Sequence, residues 1–110
     1  MRNNCLLRDC HIIIMEDNLR VNIEKVINSK ETIQRYVCVK HSGVNVKAHF
    51  HIYLDMKRRL PAATIAKWFV IKKSFVYGVY SSSDLIHYML NSKEGGETTL
   101  VCSRYAKETL

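Results

Sequence analysis

Apolar residues recur along the chain at two spacings, one typical of β-strands and the other typical of α-helices. Strands are predicted where β-branched and aromatic residues run together or alternate with polar ones, at residues 8–15, 36–39, 46–54, 75–80 and 98–102. Helices are predicted at residues 21–27, 61–69 and 85–90. The second of these helices starts at Pro61, where a missing N–H costs nothing, and the third follows a serine-rich cap at residues 81–84.

The order of these elements predicts the fold class. From the N-terminus it is β-α-β-β-α-β, followed by a helix and a last strand. This order suggests an α+β fold, a ferredoxin-like βαββαβ sandwich whose antiparallel sheet carries the helices on one face and the active site on the other. A single domain spanning residues 1–110 is expected, because 110 residues leave no room for a second large core. Since this architecture hosts many functions, function must be argued from particular side chains.

The charge balance indicates a polyanionic partner. Seventeen Lys and Arg residues against ten Asp and Glu give a net charge of +7 with neutral His. No apolar run approaches the roughly 20 residues that cross a bilayer, so no membrane contact is expected. The N-terminus lacks the apolar stretch of a secretory signal, and the four cysteines form no CxxC pair. The sequence therefore predicts an intracellular protein with reduced, mostly buried thiols.

Three histidines are predicted to converge on one face of the sheet. His49 and His51 lie two positions apart on one strand, so their side chains point to the same side, about 7 Å apart, while Phe50 points into the core. His41 ends the preceding strand and is expected to lie opposite them across a hairpin. An isolated histidine on a strand is more often a solvated polar residue than a ligand, but three together can hold one divalent cation.

The basic residues concentrate in two stretches downstream of the histidine strand. They are candidates for a phosphate-binding rim beside the histidines, and any single run could equally be a solvated face. The candidate DNA-binding residues are Lys57, Arg58, Arg59, Lys67, Lys72 and Lys73.

Two segments resemble motifs of the HUH superfamily of replication initiators and relaxases. Residues 47–54, Lys-Ala-His-Phe-His-Ile-Tyr-Leu, look like its second motif, and residues 87–93 are similar to its tyrosine motif. The nearest likeness is to the rolling-circle replication initiators (Rep proteins) of plasmids. The resemblance implies a metal-dependent tyrosine endonuclease that nicks and rejoins single-stranded DNA at a replication origin through a covalent 5′-phosphotyrosine. An oligomer is compatible with it.

The resemblance also implies a role for each matching residue. His49 and His51 would bind one divalent metal ion, Mn²⁺ or Mg²⁺, with His41 as an additional ligand. Tyr88 would be the nucleophile. Tyr105 is a looser match to a further tyrosine at the metal, and Lys93 to an active-site cation.

The chain departs from the family pattern at two places. Val44 stands where plasmid initiators usually have an aspartate three residues after the extra histidine. Asn91 stands where the related circular-virus Rep proteins have their lysine, and Lys93 follows two residues later. These differences predict a smaller metal shell and leave the role of Lys93 open.

Two other functions fit the same residues. The chain could be a ferredoxin-like module that binds single-stranded nucleic acid without cutting it. Alternatively, the three histidines and a cysteine such as Cys38 could form a structural zinc site.

Overall fold

A computed structural model of the protein describes residues 6–91 and 96–105. These residues form one five-stranded sheet and three α-helices. In chain order the elements are β1 (Leu6–Met15), α1 (Ile23–Asn28), β2 (Ile33–Gly43), β3 (Val46–Pro61), α2 (Ala62–Phe69), β4 (Val76–Gly78), α3 (Ser82–Leu90) and β5 (Gly96–Arg104). Short 3₁₀ turns follow β1 at Glu16–Asn18 and precede β4 at Lys73–Phe75.

The strands lie in the order β4-β1-β3-β2-β5, and each neighbouring pair is antiparallel. The predicted α+β class is therefore confirmed, and the sheet is compatible with a ferredoxin-like fold. β2 and β3 extend well beyond the predicted strands because they pair with each other from Ile33 opposite Met56 to Gly43 opposite Val46. β4 is shorter than predicted, since only three of its residues pair with β1.

The β2–β3 connection fixes the register of the two longest strands. Val44 and Asn45 form a tight turn, and Val44 is 96% exposed. Just before this turn, His41 of β2 is paired with His49 of β3. The hairpin therefore places these two histidines directly across from each other.

One face of the sheet packs against α1 and α2. Ile12 of β1 and Ile52 and Leu54 of β3 are fully buried there, together with Ile27 of α1 and Phe69 of α2. Alternation along each strand sends these side chains to one side and the histidines to the other. This face holds the larger of the two apolar cores.

α3 covers the opposite face. Its Ile86 and Met89 pack against Val37, Val39 and Tyr53 of the sheet. The expectation that all the helices lie on one face, with the histidine face open, is therefore wrong. The physical reason lies in β2, where residues 36–39 are buried at four consecutive positions. A strand that is apolar on both faces needs a covering element on each side.

Side-chain caps fix where two helices begin. The Asn22 side chain accepts a hydrogen bond from the Lys25 N–H at 3.0 Å, and the Ser81 hydroxyl accepts one from the Asp84 N–H at 3.3 Å. Each cap satisfies a backbone donor that has no partner within its helix. The start of α3, and with it the position of every side chain on that helix, is therefore encoded locally.

The described cysteines Cys10, Cys38 and Cys102 are free thiols, and the first two are buried, as predicted. Within residues 6–91 and 96–105, no helix is both long enough and apolar enough to cross a membrane.

α2 ends at a residue that is strained. Val70 has φ 56° and ψ 50°, the left-handed conformation, which is rare for a β-branched side chain and costs about 1–2 kcal/mol. Glycine adopts this conformation without that cost and is the common residue at helix C-termini. We expect Val70→Gly to raise the free energy of unfolding by about 1 kcal/mol, measured by urea denaturation.

Val70→Ile keeps the β-branch and serves as the control for that measurement. It should leave the stability close to that of the unaltered protein. A loss of stability in Val70→Gly would contradict the assignment of strain.

Candidate metal centre

Histidines from three neighbouring strands meet on the face of the sheet that α3 covers. β1 supplies His11, β2 supplies His41, and β3 supplies His49 and His51. The ring centroids of His41 and His51 lie 4.5 Å apart, those of His49 and His51 4.9 Å, and those of His41 and His49 5.4 Å. The sequence predicted this convergence of three histidines across the hairpin.

Three of these imidazoles form a group that could hold a metal ion. One nitrogen each of His41, His49 and His51 lies within 4.8 Å of the others. A divalent ion bonds histidine nitrogens at about 2.1 Å, so two ligand nitrogens can be at most about 4.2 Å apart, and the rings would have to move closer together to hold it. His41 is 3% exposed and His51 is 4% exposed, so water reaches their rings poorly.

The hydrogen bonds of His41 and His49 leave one nitrogen of each ring available as a ligand. His41 Nε2 donates to the Met89 carbonyl at 2.9 Å, and His49 Nδ1 donates to the Lys47 carbonyl at 2.7 Å. Because a carbonyl can only accept, both hydrogen bonds assign the proton to that nitrogen. Metal-binding histidines usually donate their second nitrogen in this way. In the neutral form of each ring, the lone pair lies on His41 Nδ1 and on His49 Nε2.

His51 is oriented by another histidine. His51 Nδ1 lies 2.8 Å from His11 Nε2, and the two rings are stacked with their centroids 5.0 Å apart. His51 Nε2 is buried and, among the described residues, has no hydrogen-bond partner; the same holds for His41 Nδ1. An unpaired buried nitrogen costs about 1–3 kcal/mol, and a bound cation would remove that cost. The residues present therefore fit a metal ion.

His11 is the site residue that the sequence analysis missed. Its ring also contacts Tyr77 of β4, at a centroid distance of 6.0 Å. The signal that could have found it is the alternation of β1, because His11 shares a face with Ile13, the residue paired with His51. Using that signal requires knowing that β1 pairs with β3, which the local pattern does not reveal.

The donor set narrows the choice of metal. Imidazole nitrogens suit Mn²⁺ or Zn²⁺, whereas Mg²⁺ prefers oxygen ligands. Val44, which stands where the plasmid initiators that the motif resembles have an aspartate, is exposed in the turn, and its side chain carries no oxygen. Cys38 is paired with Ile52 and buried in the core beneath α1 and α2. A structural zinc site that combines Cys38 with the three histidines is therefore excluded.

Burial keeps the inner histidines neutral. Burial, together with the neighbouring imidazoles of His11, His41 and His49, lowers the pKa of His51 to about 3. Burial likewise lowers the pKa of His11 to about 4. Both rings are therefore unprotonated at neutral pH, the form in which an imidazole can bind a metal.

Tyr88 lies beside this group on α3. Its ring centroid is 5.7 Å from that of His51 and 6.0 Å from that of His41, and the Tyr88 side chain is 40% exposed. Met89, the next residue, packs into the sheet and accepts the hydrogen bond from His41. The phenol at position 88 is therefore held near two of the three predicted ligands while remaining accessible from solvent.

Tyr105 contacts Tyr53 and Arg35 rather than the three histidines. The Tyr105 ring lies 6.1 Å from that of Tyr53 and 5.6 Å from the Arg35 guanidinium, towards the other end of the sheet. The loose expectation that Tyr105 is a metal ligand is not supported by these contacts. Lys93 lies outside the described residues.

The predicted basic rim divides into two separate surfaces. Lys57, Arg58 and Arg59 are exposed near the end of β3, six to eight residues beyond His51. That run does not flank the histidines. Lys67 and Lys72 instead line a groove beside β1, and Lys73 is exposed nearby.

Comparisons of the chain with known protein families, curated proteins and solved structures find no match. The chemistry of the site is therefore argued from its own geometry.

We expect His11→Phe to weaken Mn²⁺ binding about 10–100-fold, because it keeps a ring next to His51 but removes the acceptor that orients it. Isothermal titration calorimetry of the full chain measures the affinity. His11→Gln, which retains a polar acceptor, should lose less. His87→Phe, an exposed position on α3, is the matched control and should bind normally. Equal affinity in His11→Phe and the unaltered chain would contradict the role of His11.

The lowered pKa values of His11 and His51 also predict how the stability of the metal-free protein depends on pH. Above pH 6.5 both rings are neutral in the folded and the unfolded state, so they do not change the free energy of unfolding there. As pH falls from 6.5 towards 4, the unfolded chain binds protons that folded His11 and His51 do not, so stability decreases. The urea midpoint should fall between pH 7 and pH 5.5, and by less in His11→Gln. A midpoint that is constant over this range would contradict the neutral assignment.

Proposed function

We propose that this chain is a ferredoxin-like HUH nuclease domain, which nicks and rejoins single-stranded DNA through a covalent phosphotyrosine. The observation that carries the proposal is the position of Tyr88 beside His41 and His51 on one face of the sheet. A phosphodiester at the metal site would lie next to the phenol. Catalysis by a positioned nucleophile requires such proximity.

His41 links the two parts of the proposed active site. One of its nitrogens is available to the metal, and the other holds the Met89 carbonyl in the last turn of α3. Carbonyls in that turn have no partner within the helix, so His41 satisfies a group that would otherwise be unpaired. The nucleophile and the metal ligands are therefore positioned by a shared hydrogen bond.

A divalent ion bound by the three histidines would supply Lewis-acid polarisation of a phosphoryl oxygen. Tyr88 Oη attacks phosphorus and forms the Oη–P bond while the P–O3′ bond breaks. The phenol loses its proton and the departing 3′ oxygen gains one, which leaves a 5′-phosphotyrosine and a free 3′-OH. Attack by that 3′-OH on the phosphotyrosine reverses the exchange and rejoins the strand.

The described tyrosines differ in what their rings contact. Tyr53 is buried and donates a hydrogen bond to Asp9 at 3.0 Å, and burial raises the pKa of its phenol. Tyr77 contacts His11, which is not in the ligand group. Tyr88 contacts two members of that group, which supports it as the nucleophile.

The nucleic-acid substrate is supported by the net charge of +7. The role in rolling-circle replication and the origin as target rest on the motif resemblance alone, and the intracellular setting stays a prediction from the sequence. Mn²⁺ is the proposed metal, because the motif resemblance implies Mn²⁺ or Mg²⁺ and Mg²⁺ prefers oxygen ligands to the imidazoles of this group.

The prediction for this activity is that Tyr88→Phe abolishes the covalent adduct but not DNA binding, because only the attacking oxygen is removed. The unaltered chain is incubated with Mn²⁺ and a pool of 3′-fluorescein-labelled single-stranded oligonucleotides of randomised sequence. A denaturing protein gel then detects the labelled strand attached to the protein, and fluorescence anisotropy measures binding.

Tyr77→Phe is the matched control and should retain the adduct. The double variant His49→Ala/His51→Ala should lose the Mn²⁺-dependent adduct. An adduct that persists in Tyr88→Phe would exclude Tyr88 as the nucleophile. Binding of the pool by the unaltered chain without any adduct would favour the non-catalytic nucleic-acid-binding module instead.

A further inference from the structure

A groove of about 730 Å³ lies beside β1, outside the histidine group. One wall comes from the end of β1, and the other from the end of α2 and the segment that follows it. β4 pairs with β1 only at residues 10–12, so the edge of β1 at residues 13–15 is not covered by β4. The groove opens at this uncovered edge.

The groove is adjacent to the proposed active site. Two of its lining residues, Ile13 and Met15, are paired with His51 and His49 on β3. Alternation puts these four side chains on the same face of the sheet. Ile14 and the end of α2 lie on the other face, so the groove runs around the edge of β1 and reaches the histidine face at Ile13 and Met15, one strand away from the strand that carries His49 and His51.

The charge of the groove is uniformly positive. Arg20, Lys67 and Lys72 line it, and none of its described lining residues is acidic. Arg20 uses one nitrogen of its guanidinium on the Asp17 and Leu19 carbonyls, which holds the side chain and leaves other donors available. Phe75, which is 37% exposed, adds an aromatic surface to the lining of the groove.

We propose that this groove binds the single-stranded DNA that continues from the active site. Arg20, Lys67 and Lys72 contact its phosphates, and Phe75 stacks against one of its bases. The proposal rests on the nuclease function above, and it adds a second contact surface to that function. The proposal assigns Lys67 and Lys72, two of the candidate DNA-binding residues, to this groove. It adds Arg20 and Phe75, which the sequence analysis did not name.

The combination of cations with an exposed aromatic ring favours a nucleic acid strand over an acidic peptide. Single-stranded nucleic acid carries a repeating negative charge and flat bases, and proteins that bind it combine a basic groove with aromatic platforms. A polyanion without bases would use only the cations. Binding of a nucleic acid strand should therefore depend on Phe75, whereas binding of an acidic peptide should not.

The test measures binding of 5′-fluorescein-labelled (dT)15 to the full chain by anisotropy at several salt concentrations. Lys67→Gln/Lys72→Gln should weaken binding about tenfold and reduce the slope of log K against log salt by about 1.4, the value for two phosphate contacts on a single strand. Lys57→Gln/Arg58→Gln removes the same charge from the far end of β3 and should weaken binding less than threefold. Equal losses in the two variants would overturn the groove assignment, because only net charge would then matter.

Phe75→Leu provides a second readout that keeps an apolar side chain in place. It should weaken (dT)15 binding at least fivefold through lost stacking, and it should leave binding of poly-L-glutamate unchanged. Unchanged (dT)15 binding in Phe75→Leu, or competition by poly-L-glutamate equal to that by (dT)15, would overturn the proposal of a DNA strand.

The same variants separate failure of the groove from failure of the nuclease. If the groove variants lose binding but the unaltered chain forms no adduct, the groove stands and the nuclease proposal fails. If the adduct forms and the groove variants bind normally, the groove proposal fails and the nuclease stands.

Discussion

The pairing of β2 with β3 is the constraint on which the histidine group depends. Side chains alternate along a strand, so a shift of one residue would turn His49 and His51 into the core beneath α1 and α2. The tight turn at Val44 and Asn45 and the burial of Ile52 on the opposite face both oppose such a shift. The apolar core on one face therefore determines the chemistry on the other.

The buried imidazoles on the histidine face lower the stability of the fold, and they supply the candidate metal ligands. Apolar side chains at His41 and His51 could pack there without unpaired nitrogens, whereas the two buried imidazoles each leave one nitrogen without a partner among the described residues. Proteins tend to violate the rules of local stability at functional positions, and polar groups that are buried and only half satisfied are such a violation. The remaining hydrogen bonds, to Met89, Lys47 and His11, hold each ring at a fixed angle.

Short-range patterns predicted most of the fold and the three histidines, because periodicity and turn residues act within a few positions. They missed His11 and the location of α3, both of which depend on pairing between distant segments. The apolar run at residues 36–39 did contain a signal for α3, since both faces of β2 required cover. The basic residues show the same limit, although Lys57 and Lys67 are only ten positions apart in the sequence. The length of β3 separates Lys57 from the histidines, whereas the packing of α2 brings Lys67 to the groove.

His41 bonds to the end of α3 through one nitrogen and offers the other to an ion. These two events are thermodynamically linked, because both require the same ring orientation. Anything that secures α3 against the sheet would raise the affinity for a bound ion, and ion binding would in turn secure α3 by an equal factor. A single imidazole would thereby couple cation occupancy to the docking of a helix.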